Sequence, residues 1–202
     1  MGVLFKTKLF VHIRNIIFPF DKIEKYFPKK GDLLDIGCGQ GYFPTLLSRL
    51  SSKRKILGID PSASKIREAK ILSNNNPNVR FKICLLDQIK NEKFDAISII
   101  YVLYLLPLKE KVDFLKQARK LLNKGGVLIL KETKKNWFIG LEEFFMVKTG
   151  LTYSRYKKTF FQKRTQIADL LKEGGFKVKR FKIIKRLFYK HFVFIAKKDS
   201  AN

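Results

Sequence analysis

A glycine-rich loop is the part of the sequence best suited to hold a ligand. It reads Asp35-Ile36-Gly37-Cys38-Gly39-Gln40-Gly41 and lies between an apolar run typical of a buried strand and a segment with helical spacing. Glycines tolerate positive φ angles and let a ligand approach bare backbone, and the following helix offers amide groups without partners inside the helix. In a parallel α/β sheet, this position faces the ligand crevice. The loop therefore predicts a binding site for a small ligand.

Two carboxylates follow the next two predicted strands. Asp60, which precedes Pro61, ends the second strand, and Asp87, which precedes Gln88, comes after the third. A carboxylate at the first position can accept hydrogen bonds from both hydroxyls of a ribose. One at the second position can accept from an exocyclic amine. With the loop, these acids indicate a nucleoside ligand. Their plainer interpretations are a helix cap for Asp60 and a surface turn for Asp87.

The loop and the acids need a parallel sheet to bring them together, and the apolar pattern predicts one. Buried strands are predicted at residues 33–37, 55–59, 79–85, 95–101 and 127–132, with helices at 43–50, 62–73 and 109–122 between them. Gly125-Gly126 is predicted to end the last of these helices as a C-cap and turn. Alternating strands and helices are typical of parallel strands joined by right-handed crossovers.

The last part of the chain predicts one reversed strand. A helix at residues 165–173 precedes two strands, at 177–184 and 192–196. These strands have no helix between them, so they either pair antiparallel or cross over through a loop, and we expect one reversed strand near the sheet edge. The fold class is α/β: a mostly parallel seven-stranded sheet with one antiparallel strand and helices on both faces. We expect this domain at residues 31–197. N-terminal amphipathic helices are expected at 1–30, an aromatic and basic insert at 136–161, and a frayed tail that includes 198–202.

Taken in order, these motifs resemble the class I S-adenosylmethionine-dependent methyltransferases, specifically the small Rossmann-like ones. The resemblance covers residues 31–132 well and the closing strands more loosely. It implies that the glycine loop contacts the amino-acid end of the cofactor, that the acid after strand two binds the ribose, and that the acid after strand three binds the adenine amine. The implied cofactor is S-adenosylmethionine, with these binding residues: Asp35, Gly37, Cys38, Gly39, Gly41, Asp60, Pro61, Asp87, Gln88 and Tyr101.

The chain departs from the usual catalytic pattern of this family after the fourth strand. Many relatives carry an acid near the end of this strand and a His shortly after, where this chain has Tyr101 and Leu105. A methyl group on a positively charged sulfur is already activated, so the protein mainly has to hold the acceptor atom in line with it. Tyr101 and Tyr104 are the predicted catalytic residues. Lys131 and Glu132 lie near the crevice by topology.

Histidine and cysteine are too sparse to support other site chemistry. His12 and His191 are interpreted as surface or core residues, and Cys38 and Cys84 make neither a disulfide framework nor a zinc site. No metal site is therefore predicted, and a reducing cytoplasm is the expected compartment.

The net charge of +26, from 43 basic and 17 acidic residues, has three interpretations. It can attract nucleic acid, it can attract an anionic membrane surface, or it can reflect composition alone. Lys outnumbers Arg by 33 to 10, whereas Arg has the planar fork that nucleic-acid readers often use. No apolar run reaches the roughly 20 residues of a transmembrane helix. The basic residues near the start also interrupt any secretory signal.

The first 20 residues and the insert at 136–161 indicate the acceptor. The N-terminal stretch alternates apolar and basic residues at helical spacing, which predicts an amphipathic helix that covers the pocket or lies on a membrane. The insert holds many aromatic residues, which suit either a small lipid-like or aromatic acceptor or simple packing of the insert itself. We therefore expect transfer to such a molecule, in the cytoplasm or peripherally at the inner membrane face.

Three alternatives remain open. An RNA methyltransferase would use the basic surface and the basic and aromatic residues of the insert. A nicotinamide-dependent oxidoreductase could share the fold, but the third glycine comes one residue too early for the G-x-G-x-x-G fingerprint. A binding protein that had lost the cofactor would not need the intact loop and Asp60.

Overall fold

The computed structural model describes residues 20–133, 159–186 and 189–198. The predicted amphipathic helix before residue 20 and residues 136–158 of the insert lie outside this range. Among the described residues, no helix combines the length and apolar character needed to cross a membrane. Within the same part of the chain, no three His, Cys, Asp or Glu side chains are grouped to hold a metal ion.

Seven strands and five helices make up the described part. The strands are β1 (Gly31–Ile36), β2 (Arg54–Asp60), β3 (Val79–Ile83), β4 (Phe94–Ile100), β5 (Leu122–Thr133), β6 (Phe176–Arg186) and β7 (Tyr189–Lys198). The helices are α1 (Asp21–Glu24), α2 (Tyr42–Leu50), α3 (Ala63–Ser73), α4 (Leu108–Leu121) and α5 (Arg164–Glu173). Short 3₁₀ turns at Leu86–Gln88 and Leu103–Leu105 follow β3 and β4.

The strands form one sheet in the order β3-β2-β1-β4-β5-β7-β6. Neighbouring strands from β3 to β5 pair parallel, and β7 pairs antiparallel with both β5 and β6. The predicted mostly parallel seven-stranded Rossmann-like sheet with one reversed strand is therefore confirmed. The order reverses between β1 and β4, so the crevice lies at the carboxyl ends of these two strands.

Apolar residues on both faces of the sheet are buried, as expected for parallel strands covered by helices. Successive residues alternate between the faces: Leu34 and Ile97 pack in one buried cluster, whereas Leu33 and Ala96 pack in the other. Helices α4 and α5 cover the first face, and α1 and α2 cover the second. Burial on both faces explains why the strands are continuous apolar runs in the sequence.

Several predicted boundaries are wrong, including those at Gly125-Gly126, at the end of β3 and at the end of β7. Gly125-Gly126 is not a helix cap, since α4 ends at Leu121 and β5 begins at the next residue, with both glycines inside β5. They lie where the register between β4 and β5 shifts, beside an Asn123 side chain that donates to Asp95 Oδ1 at 2.8 Å. Strand β3 stops at Ile83 rather than residue 85. Strand β7 reaches Lys198, so the expected tail is paired strand at its start.

Candidate active site

The glycine loop is tied to the end of β2 through its own backbone. The amides of Gly37 and Cys38 both donate to the Ile59 carbonyl, at 2.8 and 2.9 Å, and the amide of Gly39 donates to Asp60 Oδ2 at 3.0 Å. Gly37, Gly39 and Gly41 have φ angles of 72°, 55° and 72°. These left-handed conformations are costly for residues with a Cβ, so the turn requires glycine.

The three glycines differ in what surrounds them. A Cβ on Gly37 would lie 2.4 Å from Val102 Cγ2, and a Cβ on Gly41 would lie 2.6 Å from both Ala69 Cβ and Phe81 Cζ. A Cβ on Gly39 would meet nothing within 4 Å. Gly37 and Gly41 are therefore needed for packing inside the protein, whereas Gly39 faces open space.

Asp60 joins the loop to helix α3. Its side chain is buried, and Oδ1 accepts from the Ser62 amide at 2.9 Å while Oδ2 accepts from Gly39. Ser62 is the N-cap of α3, since its side chain accepts from the Lys65 amide. The carboxylate thus orders both the turn and the start of the helix. Each of its oxygens has a second lone pair that can accept from a ligand.

Asp35 and Cys38 belong to the loop itself. Asp35 is buried, and its Oδ1 accepts from the Ser98 hydroxyl of β4 at 2.5 Å. Burial raises the pKa of the Cys38 thiol well above its usual value, and the charges of Asp35 and Asp60 raise it further. Cys38 therefore stays a thiol at neutral pH and is not a nucleophile.

Two residues that sequence reasoning missed support the loop from β2 and β3. A Cβ on Gly58 would lie 2.8 Å from the Phe81 ring and 3.0 Å from Cys38 Sγ. The Phe81 ring thus packs against both Gly41 and Gly58. A glycine directly before Ile59-Asp60 was the available signal, because glycine inside a strand often marks close approach.

The remaining predicted nucleoside contacts lie farther along the sheet edge. Pro61, Asp87 and Gln88 are all exposed, and the last two sit in the 3₁₀ turn after β3, one strand beyond β2. Gln88 Oε1 accepts from the Leu85 amide at 2.7 Å, which caps its own turn. The structure thus brings Asp35, the glycines, Cys38 and Asp60 together, and leaves Asp87 and Gln88 at the outer end of the crevice.

Tyr101 stands at the other side of the crevice in a strained conformation. Strand β4 ends at Ile100, one residue earlier than predicted, and Tyr101 has a φ of 57°. Its hydroxyl lies 2.8 Å from Nδ1 of His191, a fully buried residue of β7. The next residue, Val102, packs on Gly37. The structure therefore places His191 in the core and joins it to a predicted site residue, which its sequence position did not reveal.

A buried lysine lies over the Tyr101 ring. Lys131 of β5 is fully buried, with its Nζ 5.0 Å from the centroid of the Tyr101 ring and 4.9 Å from that of Phe20. Such cation–π contacts stabilise an ammonium group that has left water. Phe20, Lys131, Tyr101 and His191 thus form one packed group at the carboxyl ends of β4 and β5.

Tyr104 contacts the last residues of the insert. Its ring stacks on Phe161, with centroids 4.8 Å apart and planes 6° apart, and its carbonyl accepts from the Phe160 amide at 2.6 Å. Buried Lys111 of α4 donates to the Phe160 carbonyl at 2.7 Å and to Gln162 Oε1. The predicted role of Tyr104 in catalysis stays a prediction, while its packing role is plain.

Glu132 is a buried carboxyl that supports the turn after β4. Its Oε1 accepts from the Leu103 amide at 2.8 Å. Burial raises the pKa of Glu132 to about 8, against the opposing effects of the Leu103 amide and of Lys111. Burial likewise lowers the pKa of Lys111 to about 8, against the effect of Glu132. Glu132 is therefore mostly a neutral acid at pH 7.

Replacing Glu132 with glutamine should flatten the dependence of stability on pH. The folded protein keeps a proton that the unfolded carboxyl loses above its ordinary pKa of 4.5, so stability falls as pH rises from there to about 8. Each pH unit across this window removes up to about 1.4 kcal/mol. Urea unfolding at several pH values between 5 and 8 measures the slope. Exposed Glu173→Gln is the matched control, and equal slopes in native protein and Glu132→Gln would contradict the assignment.

Comparison with known proteins identifies the family to which this chain belongs. The family model described as "Methyltransferase domain" matches residues 12–180. The ubiquinone biosynthesis O-methyltransferase of Pelagibacter ubique is 27% identical over 172 residues, which cover 82% of this chain and 70% of that protein. The tRNA U34 carboxymethyltransferase of Campylobacter fetus is 28% identical over 130 residues, 63% of this chain but only 44% of that protein.

A solved structure shares the same fold. Magnesium protoporphyrin IX methyltransferase from Synechocystis, with S-adenosylhomocysteine bound, superimposes with a TM-score of 0.70 at 20% identity and covers 94% of this chain and 84% of that one. The matched family model spans most of the chain, including the glycine loop, Asp60 and β5. The chain therefore belongs to the methyltransferase-domain family, the class I S-adenosylmethionine-dependent methyltransferases.

Proposed function

We propose that this protein transfers a methyl group from S-adenosylmethionine to an oxygen of a small aromatic acceptor that carries an apolar substituent. The observation that supports this proposal most strongly is a group of aromatic and apolar side chains in the residues just after β4. Tyr101 and the stacked Tyr104–Phe161 pair supply the aromatic part, and half-buried Leu105 and Leu106 supply the apolar part. The resemblance to an enzyme named for O-methylation in ubiquinone biosynthesis supports this acceptor class.

The residues of the glycine loop fit the cofactor. The open space beside Gly39 leaves room for a ligand against bare backbone, with the Asp60 carboxylate at its edge. We assign the ribose hydroxyls to Asp60, the adenine amine to Asp87 and Gln88, and the amino-acid end to Asp35 and the loop. Pro61 lines the nucleoside side, and Tyr101 lies at the methyl end. When bound, the cofactor supplies a methyl group already activated by a positively charged sulfur.

In this proposal, the protein positions the acceptor and excludes water from the reacting groups. The Glu132 carboxyl fixes the turn that carries Tyr101 and Tyr104, and Lys111 fixes the segment that packs against it. A rigid wall holds the acceptor oxygen in line with the methyl group, which is the main requirement of this displacement. Residues 1–30, as a lid or membrane-facing element, and the insert at 136–161 complete the pocket in this proposal. An acceptor with an apolar tail would place the enzyme at the inner membrane surface.

An RNA acceptor is the second candidate, and the basic edge of the sheet favours it. Strand β6 is an end strand of the sheet and exposes five basic side chains: Lys177, Lys179, Arg180, Lys182 and Lys185. One of them, Lys182, lines a groove of about 340 Å³ together with Lys22, Lys25 and Tyr26. Basic residues beside an aromatic ring are the features that single-stranded nucleic acids bind. The similarity to a tRNA carboxymethyltransferase points the same way.

A transfer assay with a labelled methyl group separates the two. We expect label from S-adenosylmethionine to enter an alkylcatechol and not unfractionated tRNA. The same alkylcatechol with both oxygens already methylated is the matched control, since it keeps the ring and the tail but has no oxygen to methylate. Label found in tRNA alone, together with tRNA binding that weakens steeply with salt, would replace the first candidate with the second.

A further inference from the structure

We propose that His191 is a positioning residue for methyl transfer and that it acts through the hydroxyl of Tyr101, which touches the acceptor. This inference rests on the proposed function, because it needs an acceptor that loses a proton from oxygen. Tyr101 is half-buried at the crevice, and His191 is fully buried behind it. The pair thus has one member within reach of a substrate and one member shielded from solvent.

The geometry of the pair suits passage of a proton. Tyr101 Oη lies 2.8 Å from His191 Nδ1, within hydrogen-bond distance, and the two rings meet edge to face with centroids 5.8 Å apart. With Nδ1 unprotonated, the phenol donates to the imidazole, and its oxygen keeps lone pairs for a hydroxyl on the other side. A phenol held in this way can pass a proton inward while it accepts another from the crevice.

The backbone at Tyr101 holds this ring in place at a cost in conformational energy. A φ of 57° is uncommon for a bulky residue and costs about 1–3 kcal/mol. A glycine at this position would remove the strain but also the ring. The strain turns the chain out of β4, and Val102 then packs against Gly37 of the loop. Tyr101 therefore directly precedes Val102, the residue that contacts the predicted cofactor site.

Charge near the pair favours a negative phenol oxygen during transfer. Lys131 reaches over the Tyr101 ring from β5, and its positive charge stabilises electron density on the ring and its oxygen. The nearby carboxyl of Glu132 is mostly neutral at pH 7 and so adds little opposing charge. Tyr101, at the end of β4, thus contacts both the imidazole of His191 on β7 and the ammonium group of Lys131 on β5.

The proposed proton and methyl transfers balance in atoms and charge and need no further reagent. The acceptor hydroxyl gives its proton to Tyr101 Oη as the Tyr101 proton moves to His191 Nδ1. The acceptor oxygen forms a bond to the methyl carbon, and the bond from that carbon to sulfur breaks with its electron pair going to sulfur. The positive charge of the sulfonium is replaced by that of the His191 imidazolium. After the product leaves, the imidazolium returns its proton to Tyr101 Oη, and the phenol passes a proton to water in the crevice.

Two variants test the role with an alkylcatechol as acceptor. Tyr101→Phe keeps the ring and removes the hydroxyl, and His191→Asn keeps a hydrogen-bonding atom near the Nδ1 position but cannot take up a proton. We expect each to lower kcat at least tenfold, with KM and the Kd for S-adenosylhomocysteine changed less than about twofold. The double variant should be no slower than the slower single one. Full kcat in His191→Asn, or a parallel loss of cofactor affinity in folded variants, would overturn the proposal.

A second measurement does not depend on the acceptor. The chain has only two histidines, so nitrogen NMR of the imidazoles gives two sets of signals, and His12→Gln assigns them. We expect an unprotonated, hydrogen-bonded Nδ1 in His191 whose signal moves in Tyr101→Phe. If the native protein leaves the alkylcatechol unmethylated, the proposed function fails while this measurement still decides the pair. A His191 signal that is unchanged in Tyr101→Phe would overturn the inference by itself.

Discussion

We expect Asp60→Ala to lower the affinity for S-adenosylhomocysteine about a hundredfold. In the proposed site, its carboxylate accepts from two ribose hydroxyls while also holding the amides of Gly39 and Ser62. Two hydrogen bonds to a charged group, each worth about 1.5 kcal/mol, give about 3 kcal/mol, or two powers of ten in Kd. Loss of the tie to Gly39 loosens the loop and adds to the effect. Titration calorimetry with S-adenosylhomocysteine measures it.

Two controls separate the ligand contact from the structural role. Ser62→Ala removes the cap of α3 without touching the carboxylate, so it should cost about 1 kcal/mol of stability and leave the Kd nearly unchanged. Asp113→Ala removes the same charge from an exposed position of α4. A folded Asp60→Ala protein that binds S-adenosylhomocysteine within threefold of the native Kd would refute the assignment of the ribose.

Alanine at Gly41 and at Gly39 should have opposite consequences. At Gly41, the methyl group combines a left-handed backbone with overlap on Ala69 and Phe81, which together cost about 3 kcal/mol or more. That is a large share of the total stability of an ordinary domain. At Gly39, the methyl group meets no protein atom, so the cost is about 1 kcal/mol from the backbone alone. The same methyl group enters the space assigned to the cofactor, and binding should weaken more than tenfold.

Thermal unfolding and calorimetry on the two variants test this contrast. We expect Gly41→Ala to unfold at a much lower temperature than the native protein. We expect Gly39→Ala to unfold near the native temperature and to bind S-adenosylhomocysteine poorly. Gly125→Ala is a useful reference, because Gly125 also has a positive φ and open surroundings but lies in β5 away from the loop. Native affinity in Gly39→Ala would mean that the cofactor lies elsewhere.

The sheet could be predicted from sequence because its strands are buried on both faces and read as short apolar runs. The loop at residues 35–41 and Asp60 could be predicted because glycine and a strand-ending acid are local signals. The bulge at Gly125-Gly126 could not, since a register shift depends on the partner strand and on Asp95. The contact between Tyr101 and His191 joins residues 90 positions apart, and no local spacing encodes it.

The burial of a charged side chain likewise could not be predicted from the local sequence. Lys131 and Glu132 end an apolar strand and look like surface residues of a crevice wall, yet both are buried. Whether a charged residue is buried depends on which elements cover the strand, here the aromatic rings of Phe20 and Tyr101 for the lysine. The local sequence does not show which elements will cover the strand.

The position of β7 also constrains how the chain is built on the ribosome. This strand emerges after both β5 and β6, yet it lies between them in the finished sheet. Until it arrives, β6 has no neighbour to dock on, and the edge of β5 stays open, which exposes nascent chains to mispairing. The half that carries Gly39 and Asp60 needs only β1 to β5 and can form first. His191 takes its place in the same step that closes the sheet, so a molecule whose sheet is incomplete also lacks the contact with Tyr101 on which the proposed proton relay depends.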